Sequence, residues 1–241
     1  MASDPTPPTA KQLLHDLQHN EAFQHQPVAG TELDPHLALL RTWQSARLAT
    51  TYADLLADKQ FRPACEFFLS DIYAPRDFSQ RDHDTQRIHD FLSRVFPAHA
   101  VQLLTDVVEL NSLSTELDHQ LVRVLVDQLQ VTDQITVELY AEGYRLCDNY
   151  QERVRQIDLV TQIVTKVGEG ARLRVNGMGM KLVRGVVYQA GWNEVYDFLQ
   201  HGYEAFRQMR DVKNFVEIVA QRERRILSQI FSHHPNPLAI S

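Results

Sequence analysis

The chain has 241 residues, with 24 Lys+Arg against 31 Asp+Glu, a formal net charge of −7, and 44% hydrophobic and 23% charged residues. These proportions exclude collagen, low-complexity disorder and a disulfide-stapled mini-domain, and no stretch approaches the roughly 18 uninterrupted apolar residues of a membrane span. A chain of this length can bury about 70–75% of its unfolded surface in one core, so a single domain suffices.

Helix breakers are unevenly spread: no Gly occurs between Gly30 and Gly143, and no Pro between Pro97 and Pro235. Residues 1–8, with Pro5, Pro7 and Pro8, read as a flexible arm. They carry neither the basic nor the apolar region of a secretory leader. Thr9 caps a short helix to about residue 23, and a break follows at Pro27–Gly30. Asp34 before Pro35 is an N-cap with proline at the first helical position, and the run to about residue 57 is apolar at helical spacing. Pro63 begins the next helix, which carries FFLSDIY and stops before Pro75. Asp77 or Ser79 caps a helix to about Phe96, and from Pro97 the pattern is helical to Phe231. Around Asn176-Gly177 the alternating segment 172–183 carries a hairpin signal, but its helical neighbours favour a helix. The expected fold is all-α: one compact multi-helix bundle of about eight or nine helices over residues 9–232, with a frayed C-terminal tail at 233–241.

The segment FFLSDIYAPRDFSQRD, preceded by LRTWQSARLATTYADLLA, is followed by ELNSLSTELDHQL and QAGWNEVYDFLQHGYEAFRQM. Together they resemble an uncharacterised family of all-helical bacterial proteins with an FFLxDxYxPxD signature, over most of the chain after residue 34. Phe67, Phe68, Leu69, Asp71, Tyr73, Pro75, Asp77, Arg81 and Asp82 carry the resemblance. It implies a helical fold and assigns no activity.

Glu116 and His119 have the ExxH spacing of ferritin-like di-iron helices, the basis for a metal-dependent oxidase reading. Such a site needs a second ExxH pair, and the sequence has none. With Glu109 at 0° and about 100° per residue, Glu116 falls near −20° and His119 near −80°. Gln102, Thr105, Ser112, Gln120, Arg123 and Asp127 share that polar side. The apolar residues centre on the opposite side, so the pair reads as solvated. Asn111, Ser114 and Asp118 instead fall near about 200°, 140° and 180°, in the middle of the apolar face. An unpaired buried polar group costs about 1–3 kcal/mol, so an Arg, Tyr or Trp on a facing helix is expected to pair with them. They form either a structural network or the lining of a ligand cavity closed by Tyr140, Tyr144 or Trp43. The cavity reading predicts at least about 300 Å³ beside Asp118.

Asp71, Tyr73, Arg76, Asp77, Arg81 and Asp82, with His83 and Asp84, form a charged corner. It reads as a salt-bridge network pinning two helices, with an anion site at a helix N-terminus as the alternative. GEG and GMG in the glycine-rich stretch 168–202 match neither GxGxxG nor the P-loop, and read as points of close helix approach. Glu194, Asp197, His201 and Glu204 line one polar helix face. Cys65 and Cys147 show no CxxC or metal spacing and read as buried free thiols of a reducing cytoplasm. Residues 172–241 carry 10 Lys+Arg against 6 Asp+Glu, while 1–171 carry 14 against 25. That split permits an anionic partner for the C-terminal part or self-association between oppositely charged surfaces, and the basic-aromatic clustering of a nucleic-acid binder is missing. No cofactor, metal or membrane partner is expected. The leading expectation is a non-enzymatic cytoplasmic helical protein that binds a protein partner or itself. The alternative is a helical enzyme or small-molecule binder using Asn111, Ser114 and Asp118.

Overall fold

The computed structural model describes residues 35–72, 98–172, 184, 188, 193–207 and 209–240. The arm at 1–8, the expected helices at 9–23 and 77–96, and the segment 173–183 lie outside them. Eight α-helices and no strand occur among the described residues: α1 Pro35–Thr51, α2 Ala53–Ala57, α3 Arg62–Phe67, α4 Ala98–Arg123, α5 Val137–Cys147, α6 Tyr150–Arg172, α7 Asn193–Phe206 and α8 Val212–Phe231. The fold is an all-α bundle. A single π-helical turn extends α3 over Phe68–Ile72, and another extends α4 over Val124–Gln128.

Local chemistry sets these boundaries. Pro35 opens α1, and Pro63 sits in the first turn of α3, where no N–H is needed for the ladder. The Thr136 hydroxyl caps α5 by accepting from the Leu139 N–H at 3.3 Å, and Asp148 ends it in the left-handed region with φ 49°. Asp211 caps α8 by accepting from the Asn214 N–H at 3.0 Å. The continuous helix expected over 35–57 is broken at Tyr52, which has φ −111° and ψ 19°. The backbone bonds Tyr52 to Leu48 and Leu56 to Tyr52 persist at 2.9 Å, so the break is a kink. It is pinned by the Tyr52 hydroxyl, which donates to Glu223 at 2.9 Å.

Helix α6 is the centre of the bundle and packs against α4, α7 and α8. Its neighbours form two hydrophobic clusters. One gathers Tyr52, Phe67, Phe68, Ile163, Phe198, Phe206 and Phe215. The other gathers Leu40, Leu121, Leu125, Tyr140, Ile157, Ile226 and Ile230. The close approach of α6 to α8 needs a glycine: a Cβ on Gly168 would lie 2.5 Å from Val212 Cγ1. Gly202 of α7 serves the same purpose, since a Cβ there would lie 2.9 Å from Val167 and 3.0 Å from Phe67. The motif GEG therefore lies inside α6, in a helix-packing role.

Two expectations need correction. The tail after Phe231 is not frayed: the Gln229 amide donates to the carbonyls of Pro237 at 3.0 Å and Ala239 at 2.9 Å. Pro237 is buried, and Leu238 and Ile240 pack on the second cluster. Apolar side chains in the tail gain burial that its two prolines do not prevent. The polar side assigned to α4 is also wrong at Thr105, which is only 4% exposed: its hydroxyl is satisfied inside the helix by donating to the Val101 carbonyl at 3.0 Å, so it needs no water.

Candidate functional site: a polar cavity between two cores

Where the two clusters meet, a cavity of about 260 Å³ opens between α1, α4, α5, α6 and α8. Its apolar wall includes Leu48, Leu110 and Val160 of the first cluster, and Ile157, Ile226 and Ile230 of the second. Asn111, Ser114 and Asp118 all line it from α4, as do Tyr140 and Tyr144 from α5. Trp43 stands behind the wall and stacks on Tyr140 with ring centroids 4.1 Å apart. The volume falls somewhat below the expected threshold near 300 Å³. It exceeds the roughly 150 Å³ that suffices for benzene in an engineered cavity.

Five charged side chains reach the cavity: Arg41, Arg47, Arg153, Asp118 and Glu223. Both carboxylates are engaged. Asp118 accepts from the Gln44 amide at 3.2 Å and lies 3.7 Å from Arg41 Nε. Glu223 accepts twice from Arg47, at 2.7 and 2.9 Å, and once from Tyr52. Arg153 is only 3% exposed, and among the described residues it has no carboxylate partner. Its Nη1 donates to Gln156 Oε1 at 3.2 Å and its Nη2 to the Leu117 carbonyl at 3.3 Å. Its guanidinium lies 4.2 Å from the Tyr144 ring centre. Its Nε, fully buried, has no hydrogen-bond partner among the described residues.

Burial opposes the charge on Arg153, but the nearby Tyr144, Tyr140 and Asp118 outweigh it and hold the guanidinium above its ordinary value. Burial pushes the Tyr144 phenol well above its ordinary value, so it remains a hydrogen-bond donor. The Tyr140 and Tyr144 hydroxyls share a hydrogen bond at 2.7 Å, so one of the two phenols keeps its hydrogen without an acceptor among the described residues. Ser114 accepts from the Gln156 amide at 2.8 Å and likewise keeps its own hydrogen. Of the partner types expected for the α4 residues, Arg41 stands beside Asp118, while the hydrogen bonds come from glutamines, Gln44 to Asp118 and Gln156 to Ser114.

Arg153, Gln156, Arg47 and Glu223 were missed in the sequence, although a signal for two of them exists. At about 100° per residue Arg153 shares a stripe with Ile157, Val160 and Val164, and Glu223 falls in the stripe of Val219, Ile226 and Ile230. A charge inside an apolar stripe is as informative on α6 and α8 as Asp118 is on α4.

The other candidates gather no comparable site. Tyr73, Arg76, Asp77, Arg81 and Asp82 of the charged corner lie outside the described residues, and Asp71 is described only as backbone in the π-helical turn. Glu116 and His119 are exposed, with the Gln120 amide donating to Glu116 at 3.2 Å. Among the described residues no three His, Cys, Asp or Glu stand close enough to hold a metal. His201 and Glu204 are exposed, and Asp197 accepts from the Tyr188 hydroxyl at 2.6 Å. Cys65 and Cys147 are free thiols, the first buried and the second half-buried. No described helix is long and apolar enough to cross a membrane.

Residues 23–237 match the family model of a domain of unknown function, DUF8198. Neither a curated protein nor a solved structure matches the chain.

Proposed function

We propose that this chain, which belongs to the DUF8198 family, is a non-enzymatic small-molecule-binding protein whose ligand occupies the cavity between α1, α4, α5, α6 and α8. One observation carries the reading: a cavity of about 260 Å³ lined by polar side chains at the junction of two hydrophobic clusters. Packed interiors tolerate few voids larger than water, and polar groups at a core junction cost stability unless something pairs with them. Binding is favoured over catalysis because Glu223 accepts from Arg47 at both oxygens, Asp118 accepts from Gln44, and no His, Cys or Lys is among the described residues that line the cavity.

The partner or self-association reading rests on the charge split between 1–171 and 172–241. It has less support, since Leu146, at 43%, is the one exposed large hydrophobic among the described residues. The two free thiols support a reducing cytoplasm, and the FFLSDIYAPRD resemblance supports a bacterial source.

Ligand-observed NMR with a fragment library tests the proposal on the full chain. Fragments are expected to bind, to compete with one another, and to lose binding when Ser114→Phe fills the cavity. A library without hits, or hits that Ser114→Phe leaves unchanged, contradicts it.

A further inference from the structure

We infer that the cavity takes a small organic monocarboxylate, with the acid group held at Arg153 and the remainder against the apolar wall. The inference rests on the cavity being a ligand site and adds the chemical class. Three arginines and two carboxylates line the cavity, leaving one positive charge over, and that charge is Arg153. Taking an ion out of water costs several kcal/mol unless an opposite charge or a full set of hydrogen bonds compensates. Arg153 has a carbonyl, one amide oxygen and a tyrosine face, and its Nε donor has nothing.

The neighbouring donors point to the same chemistry. One hydroxyl of the Tyr140–Tyr144 pair and that of Ser114 each keep a hydrogen without an acceptor among the described residues, and all three residues line the cavity. Gln156 joins the group, accepting from Arg153 and donating to Ser114, so these side chains form one contiguous donor set. A set rich in unused donors with one surplus positive charge is complementary to an oxyanion bearing a single negative charge. A phosphate dianion would leave one negative charge buried without a partner, and a neutral ligand would leave Arg153 without a carboxylate partner. The size suits a ring or short branched chain behind the acid group, since about 260 Å³ exceeds the roughly 150 Å³ that admits benzene in an engineered cavity.

The test is isothermal titration of the full chain with 3-phenylpropionate, 3-phenylpropionamide and phenyl phosphate at pH 7.5. The acid is expected to bind at least about tenfold tighter than its amide, and tighter than phenyl phosphate. Arg153→Met is expected to remove that preference, bringing the acid down to the affinity of its amide. Ser114→Ala, which keeps the packing, is expected to weaken the acid by about threefold or more. An amide that binds as well as the acid overturns the inference, and so does a phosphate that binds tightest. If none of the three binds while library fragments do, the carboxylate inference fails and the cavity reading stands. If nothing binds in either experiment, both fail.

Discussion

The buried pair Arg47 and Glu223 ties α1 to α8, with both side chains only 9% exposed. Removing one member of such a pair strands a charge, which costs about 3–5 kcal/mol, whereas an apolar replacement of both is often close to neutral. Urea unfolding should therefore show Glu223→Leu destabilised by about 3–5 kcal/mol and the double variant Arg47→Leu/Glu223→Leu recovering most of the loss. Equal stability of single and double variants would contradict the pairing. Cys65 gives a second residue-scale test. Burial pushes its thiol from 9.0 up to about 11, with Asp54 and Glu66 adding to the shift. The folded thiol stays protonated and unreactive at pH 8, so Ellman titration should find Cys65 only after denaturation. The sign for stability follows: the contribution is fully present below pH 9.0 and is lost as the pH rises toward about 11. A Cys65 that reacts at once in the folded protein would show that the surrounding core opens.

At the scale of elements, Gly168 tests how α6 meets α8. Alanine in a helix interior gains about 1 kcal/mol over glycine in propensity. The added Cβ would meet Val212 Cγ1 at 2.5 Å and Cγ2 at 2.9 Å, and a β-branched side chain in a helix has little rotamer freedom to yield. Overpacking of this kind costs about 1–3 kcal/mol, so Gly168→Ala should be destabilising in denaturant titration despite the better helix former. A stabilised variant would mean that the two helices part easily. The same elements show what the sequence could reveal. Pro35 and Pro63 marked helix starts that the structure has, because proline geometry acts over one turn, whereas the start capped by Thr136 was not read in the sequence. The kink at Tyr52 was illegible, since it depends on a hydroxyl reaching Glu223, 171 positions away. Asn111, Ser114 and Asp118 were legible as misfits on one apolar face. Arg153 stood in an apolar stripe of its own, but its role depends on α4 and α5 bringing Leu117 and Tyr144 to it, which no single helix records.

For the whole molecule, the two hydrophobic clusters and the cavity between them make one arrangement, with α6 running through both and presenting Arg153, Gln156, Ile157 and Val160 to the cavity. Arg47 and Glu223 pair with each other at that junction, whereas Arg153 has no carboxylate partner among the described residues, and the proposed ligand rests on it. The most direct test is a crystal structure of the full chain grown with 3-phenylpropionate. The carboxylate should lie about 2.9 Å from the Arg153 guanidinium, with the phenyl ring against Ile157 and Ile226. A cavity collapsed onto its own side chains, with Arg153 ion-paired to Asp118, would contradict the account.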